Sequence, residues 1–284
     1  MYIVWSGPVF EETAIGISDA LFISGFDAKI IHLDSDEDAT IFQDDQTYII
    51  LGIHRFNVTL PKNFIVIQAE QINSRFINTK YLSILAKARS VWDFSGRNVE
   101  YFQEKGIKVY DIGSRVPMDV FYPNSPSMLR HFSGRHKDID VLFYGAKCPR
   151  RENLEKDLKR IGLKTEFRYN NLFRGAREDL IARSKVVLNI HYYVRSSLET
   201  HRIEYLCSRG KCVVSERSDD HVLDDKYAQS VVFSSMEDMV SSILNMVTCE
   251  KKRNSVEVSA QKESITRQSN TRVIVESLKS LNNS

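Results

Sequence analysis

The sequence predicts an α/β protein made of two doubly wound, parallel-sheet units, and three observations carry that prediction. Short, nearly continuous apolar runs such as YIIL at positions 48–51 and FIVI at 64–67 suit strands covered on both faces. Such runs stop at polar residues: Gly52 and His54, Glu70 and Gln71, Asp93 and Ser95, Gly113 and Ser114. A repeated strand-then-polar pattern is how a doubly wound domain builds one rim. The stretch from Ser184 to Arg217 reads strand, loop, helix, strand: Val186, Val187, Leu188 and Ile190 stop at His191, and Cys212, Val213 and Val214 close on Ser215 and Glu216.

In chain order, Tyr2 to Trp5 is a strand ending at Ser6, Gly7 and Pro8. A helical pattern (Ile15, Ala20, Leu21, Ile23) then leads through Gly25 to a second strand, Ala28 to Leu33. Strands follow at Thr47 to Leu51, Phe64 to Ala69, Ser90 to Phe94 and Lys108 to Ile112, with helices near Tyr81 to Ala88 and Asn98 to Lys105. Pro117, Pro123 and Pro126, with Gly134 beyond them, read as a linker. The second unit opens with the strand VLFYG after Asp140, then a helix to Ile161, a strand Lys164 to Arg168 and a helix Arg177 to Arg183 that delivers the chain to Ser184. A strand at Ser230 to Phe233, a helix at Met236 to Val247 and a helix-forming tail to Leu281 complete it. The expected domains are residues 1–130, 138–260 and a tail, 261–284.

Length and composition agree. With 284 residues, 42% hydrophobic and 27% charged, the chain is long enough for two cores and patterned for neither disorder nor a coiled coil. A formal charge of +2 gives no global reason to expect nucleic acid as a partner, so any anion must be met locally. Cys148, Cys207, Cys212 and Cys249 form no CxxC pair, which favours free thiols in a reducing compartment. No run approaches the ~18 to 20 apolar residues of a membrane span, and the N-terminus lacks the pattern of a signal peptide. The expected location is therefore cytoplasmic, the host cytoplasm if the chain is viral. Asn57-Val58-Thr59 matches a glycosylation acceptor that nothing else supports.

Several groups could carry chemistry. Gly145-Ala146-Lys147 offers a tight turn, backbone donors and a cation where a phosphate could rest, with Arg150 following; the plain alternative is a solvated basic turn, and the spacing is not that of a Walker A loop. Glu199 and Arg202 lie three apart on an expected helix, where they can pair with each other or serve hydroxyls and a diphosphate. His191, Tyr192 and Tyr193 end a strand, either to stack on a nucleobase or as structural residues, and Ser215 ends the next one. In the first half His54, Glu70 and Asp93 each end a strand; any of them could be a general base, and each has a plain reading as a cap, loop or core residue. Asp34, Asp36 and Asp38 alternate, but no EF-hand glycine or distal glutamate follows, so a solvated loop and no metal are expected.

VLFYGAKCPRRENLEKDLKRIG, then REDLIARSKVVLNIHYY, then ETHRIEYLCSRGKCVVSE resemble the C-terminal half of GT-B glycosyltransferases, particularly small viral and bacterial members; IVIQAEQ and VWDFSGRN resemble the first half of the same set. Where many relatives carry the second of two spaced glutamates, this chain has Tyr205, with Glu204 beside it. The resemblance implies two facing Rossmann-like domains with a cleft between them and a tail that crosses back to the first domain. It also implies a metal-independent reaction with no cofactor beyond the nucleotide-sugar co-substrate. The donor would meet Gly145, Lys147, Arg150, His191, Tyr192, Tyr193, Glu199, Arg202 and Ser215, while the first domain presents the hydroxyl of a glycan or other acceptor to a base among His54, Glu70 and Asp93. A nucleotide-sugar epimerase on the same scaffold and a non-catalytic glycan- or nucleotide-binding module are the rival expectations.

Overall fold

A computed structural model describes residues 1–23, 25–33, 42–56, 59–112, 135–169, 172–268 and 278. The linker prolines, the alternating aspartates, Gly113 and Ser114, most of the glycosylation triplet and most of the tail beyond Gln268 lie outside those residues. The chain divides into two compact units: Met1–Phe121 with Gln268–Ser284, and Tyr122–Arg267.

Unit 1 is a parallel sheet whose described strands, β1 (Tyr2–Trp5), β2 (Lys29–His32), β3 (Tyr48–Leu51), β4 (Phe64–Gln68), β5 (Ser90–Asp93) and β6 (Val109–Asp111), lie in the order β2-β1-β3-β4-β5-β6. Side chains alternate across a pleated strand, so an apolar run with no polar break must be covered on both sides. Ile49, Leu51, Ile65 and Ile67 pack with Ala14, Ile17 and Leu21 of helix α1 (Glu11–Ile23). Tyr48, Ile50, Phe64 and Val66 pack on the opposite face with Tyr81 and Leu85 of α2 (Thr79–Leu85) and Val99 and Phe102 of α3 (Gly96–Gln103). Asn78 caps α2 by accepting from the Tyr81 N–H at 3.0 Å. Leu278 of the tail lies in the first of these cores.

Unit 2 repeats the plan. Its described strands are β7 (Ile139–Gly145), β8 (Thr165–Tyr169), β9 (Ser184–Asn189), β10 (Cys212–Glu216) and β11 (Val232–Ser234), all parallel, in the order β11-β10-β9-β7-β8. Helices α4 (Pro149–Arg160) and α8 (Met239–Thr248) cover one face through Leu154, Leu158, Ile243 and Met246. Helix α5 (Arg174–Arg183) packs on β7 and β9, and α6 (Thr200–Ser208) packs on β10. Helix α7 (His221–Lys226), which the sequence pattern did not suggest, is capped by Asp220, and α9 (Glu250–Gln268) follows α8.

Each first strand is flanked on both sides, β1 by β2 and β3, β7 by β8 and β9. Successive connections therefore leave it in opposite directions. The carboxyl end of such a strand is where an open parallel sheet makes a crevice.

Candidate functional site

In unit 2 the switch-point strand β7 ends at Gly145, whose φ of 148° suits a residue without a side chain. A Cβ there would meet Arg202 Nη2 at 3.2 Å and Arg151 Nη1 at 3.6 Å, so two guanidinium groups converge on this glycine. Arg151, in the first turn of α4, donates through Nε to the Ile190 carbonyl at 3.1 Å and through Nη1 to the Ala146 carbonyl at 2.6 Å, tying the ends of β7 and β9 together. Burial, and then the neighbouring Arg202, hold its pKa down at about 10. Arg202 lies 4.7 Å from the centroid of the Tyr144 ring, and its Nη1 is buried with no hydrogen-bond partner among the described residues. Two cations are thus held together and, among the described residues, no carboxylate is hydrogen-bonded to either, although the Glu199 charge acts on both. Such a place favours an incoming anion.

The neighbouring acids are already matched. His191, two residues past β9, places Nδ1 2.8 Å from Glu199 Oε2, and Asn189, the last residue of β9, donates to the same oxygen at 2.9 Å. Burial works against the Glu199 charge, but the His191 imidazolium and these hydrogen bonds override it and hold the carboxyl at about 2. Burial likewise opposes the His191 charge, and Glu199 overrides it, so that imidazole is raised above its ordinary value. Glu216 accepts from Arg150 and, at 3.2 Å, from the His191 backbone N–H. Tyr192 is exposed and packs edge-on against Tyr193, with Arg151 5.5 Å from its ring centroid.

Several sequence expectations need correction here. Glu199 does not share a helix face with Arg202: it is the residue before α6, with φ −75° and ψ 72°, and its partner is His191. Lys147 does not join the arginines; it is more than half exposed and pairs with Glu152 at 2.9 Å. Arg150 is engaged by Glu216 and the His191 carbonyl rather than facing Gly145. Ser215 is fully buried, donating to the Glu216 carbonyl at 2.9 Å and accepting from Asn189 at 3.1 Å, so it supports the rim from behind. Glu204, beside the position where a glutamate was expected, is buried and accepts from the Tyr227 hydroxyl at 2.8 Å. Arg151, Asn189 and Glu216 were not among the candidates.

In unit 1 the three candidate bases fall into one buried polar chain across the ends of β3, β4 and β5. Asp93 accepts from Gln68 Nε2 at 2.9 Å, from the Ser95 N–H at 2.9 Å and from Asn98 Nδ2 at 3.1 Å. Gln68 in turn uses its carbonyl to accept from the Glu70 N–H at 2.6 Å and the Tyr81 hydroxyl at 3.0 Å. Ser74 donates to Glu70 Oε2 at 2.9 Å, and His54 Nε2 stands 3.6 Å from Oε1.

Their environments separate them. Asp93 is fully buried, and burial pushes its pKa up to about 7 against those donors, so it reaches no surface in this structure. Burial, then Arg55, lower His54 to about 4, leaving a neutral imidazole against the Phe76 ring, 4.4 Å between centroids. Glu70 is the one whose side chain remains 20% exposed, and burial raises it above its ordinary value. A partly open carboxylate with raised basicity is the form a general base takes.

Among the described residues no group of three or more His, Cys, Asp or Glu could hold a metal ion, all four cysteines are free, and no helix is long and apolar enough to cross a membrane.

No family model matches the chain. It is 29% identical over 146 residues to an uncharacterised protein of Acanthamoeba polyphaga mimivirus; the match covers 49% of this chain and 16% of that protein. Its structure resembles sucrose-phosphate synthase from Thermosynechococcus elongatus at a TM-score of 0.62 and 10% identity, over 100% of this chain and 99% of the other. Anabaena HepE in complex with UDP and glucose aligns at 0.60 and 13% identity, over 99% and 100%. The UDP-GlcNAc 2-epimerase of Neisseria meningitidis bound to UDP-GlcNAc aligns at 0.54 and 11% identity, over 98% and 99%. The fold is GT-B.

Proposed function

We propose that the chain is a glycosyltransferase that moves a sugar from a nucleoside-diphosphate sugar to a hydroxyl of a glycan or other acceptor. The observation that carries this reading is the pair of guanidiniums at Gly145, one with a buried donor that no described residue engages. The likeness to structures holding UDP or a UDP-sugar favours uridine as the base.

The leaving group of such a transfer is a nucleoside diphosphate, and its growing charge must be met by donors fixed in advance. Arg202 donates to it from its perch over Gly145. Arg151, committed to two carbonyls, positions the strand ends and adds its field. These cations supply the charge that a divalent ion supplies elsewhere, so the reading is metal-independent. Tyr192 offers an exposed face for the base, and Glu199, kept ionised by His191, has acceptor capacity left for ribose hydroxyls.

Glu70 takes the acceptor's proton. Gln68 holds its backbone, Ser74 fixes one carboxylate oxygen, and neutral His54 adds no positive charge of its own. A base used in this way serves a single displacement, which inverts the anomeric centre.

The experiment is a thermal-shift screen against UDP-, GDP-, ADP-, CMP- and dTDP-sugars, followed by product analysis with and without acceptor alcohols. Transfer that needs an acceptor is expected. Conversion of the donor sugar with the acceptor omitted would favour an epimerase, as the third structural likeness allows, and no shift with any donor would end the reading.

A further inference from the structure

We infer that unit 1 carries a second anion site, formed by Arg55 at the Gly7 end of β1, which takes a phosphate or carboxylate on the acceptor. The acceptor class would then be an acidic hydroxyl compound rather than a neutral sugar. This rests on unit 1 being the acceptor half.

Gly7 follows the switch-point strand β1 and has φ 85°. A Cβ there would lie 2.9 Å from Arg55 Nη1, 3.0 Å from Cζ and 3.1 Å from Nε, so the guanidinium lies directly against the glycine. Arg55 ends the short 3₁₀ turn Ile53–Arg55 that leaves β3, the strand on the other side of the switch, and Gly52 at φ 73° starts that turn. Arg55 is exposed, and among the described residues its only hydrogen bond is through its backbone N–H, to the Gly52 carbonyl at 2.9 Å. Among the described residues nothing is hydrogen-bonded to its side-chain donors.

Unit 2 shows the same relation. There Arg202 lies against Gly145 at the end of its own switch-point strand, and it is the group read above as the diphosphate contact. A Cβ would come within 3.2 Å of the arginine at Gly145 and within 2.9 Å at Gly7, so in both units the guanidinium packs against bare backbone. His54 adds no positive charge beside Arg55: its side chain is only 6% exposed, its Nε2 has no hydrogen-bond partner among the described residues, and it is neutral near pH 7. Glu70 is close enough for Arg55 to act on its charge, so an acceptor anchored by its anion at Arg55 presents a hydroxyl elsewhere on the same molecule to Glu70.

The test uses calorimetric titration of the full chain with UDP, glucose, glucose 6-phosphate and glucuronate, on the parent, Arg55→Gln, Arg55→Lys and Arg202→Ala. The two acidic probes should bind the parent more tightly than glucose. Arg55→Gln should weaken them roughly ten- to hundredfold, Arg55→Lys less, with UDP unchanged. Arg202→Ala should weaken UDP and spare the acidic sugars. Which acidic probe binds better identifies the anion.

Acidic probes that bind no better than glucose, that ignore Arg55→Gln, or that are lost only with Arg202→Ala overturn the inference. Ligand-free melting of each variant shows that the fold is kept. If UDP fails to bind the parent while the acidic probes still depend on Arg55, the donor reading falls and this site stands.

Discussion

Replacing Arg202 with alanine separates a ligand-binding arginine from a structural one. Its favourable contacts within the fold are with the Tyr144 ring at 4.7 Å and the Phe143 ring at 5.8 Å, worth about 1 kcal/mol together at a partly exposed site, with a further attraction to the Glu199 carboxylate. Against that, Arg202 is the second cause, after burial, of the depression of Arg151 from 12.5 to about 10, a total of roughly 3 kcal/mol at 1.36 kcal/mol per pKa unit. Arg202 accounts for less of that depression than burial does. The terms nearly cancel, so the ligand-free melting temperature should move by less than about 3 °C. Loss of hydrogen bonds to a charged phosphate costs about 1.5 to 3 kcal/mol, or roughly ten- to 150-fold in affinity. With UDP at about 100 times the parent's Kd, the ligand stabilises the parent by about 2.7 kcal/mol, and a variant bound thirtyfold more weakly by about 0.9. In differential scanning fluorimetry that is a shift of roughly 5 to 10 °C against 2 to 3 °C. An equal UDP shift in both proteins would refute the phosphate role, and a collapse of the ligand-free melting would make Arg202 part of the fold instead.

Four more outcomes follow from the geometry. Glu70→Gln should lower transfer about 10²- to 10⁴-fold with the UDP shift intact, and the parent's rate should fall as pH drops through a value above 4.5, where the raised carboxylate gains its proton. His191→Gln removes the cation that most lowers the Glu199 pKa, leaving Asn189 and Arg202, and should cost about 1 to 2 kcal/mol in urea denaturation near neutral pH. The raised His191 stabilises fully below 6.5 and loses that contribution as pH climbs through its folded value, whereas the depressed Glu199 keeps its share above 4.5 and loses it as pH falls toward 2; the variant should therefore lack the parent's alkaline decline. Gly145→Ala should destabilise by about 1 to 3 kcal/mol and weaken UDP binding, because φ is 148° and the new methyl would press on Arg202 and Phe143. Asp93 holds its proton up to about 7 when folded and 3.8 when unfolded, so it makes stability fall as pH rises between those values; Asp93→Asn should flatten that slope in thermal melts.

The strands were legible because both-face burial writes itself as unbroken apolar runs, and the strand-end polar residues marked both rims. What the sequence could not show was adjacency. His54, Glu70 and Asp93 form one chain only because β3, β4 and β5 are neighbours in the sheet, an order that no local pattern encodes. Glu199 was misread because helical spacing assumes both residues are inside the helix, and α6 begins one residue later. Lys147 and Arg150 were indistinguishable from Arg151 as basic residues after a glycine; what sorts them is that Glu152 and Glu216 claim the first two. A signal for Arg151 did exist: it sits in the first turn of α4, six residues past Gly145, where a long side chain can fold back over the strand end.

The two-handed grip of Glu216 has a thermodynamic corollary. By taking Arg150 with one oxygen and the His191 amide with the other, it fastens the turn after β9 to its neighbour strand and to α4 before anything arrives. Ordering a loose turn on association consumes affinity through lost conformational freedom, and here that freedom was surrendered when the chain folded. The contacts that Arg202 makes can therefore appear almost undiminished as residence time of the bound nucleotide.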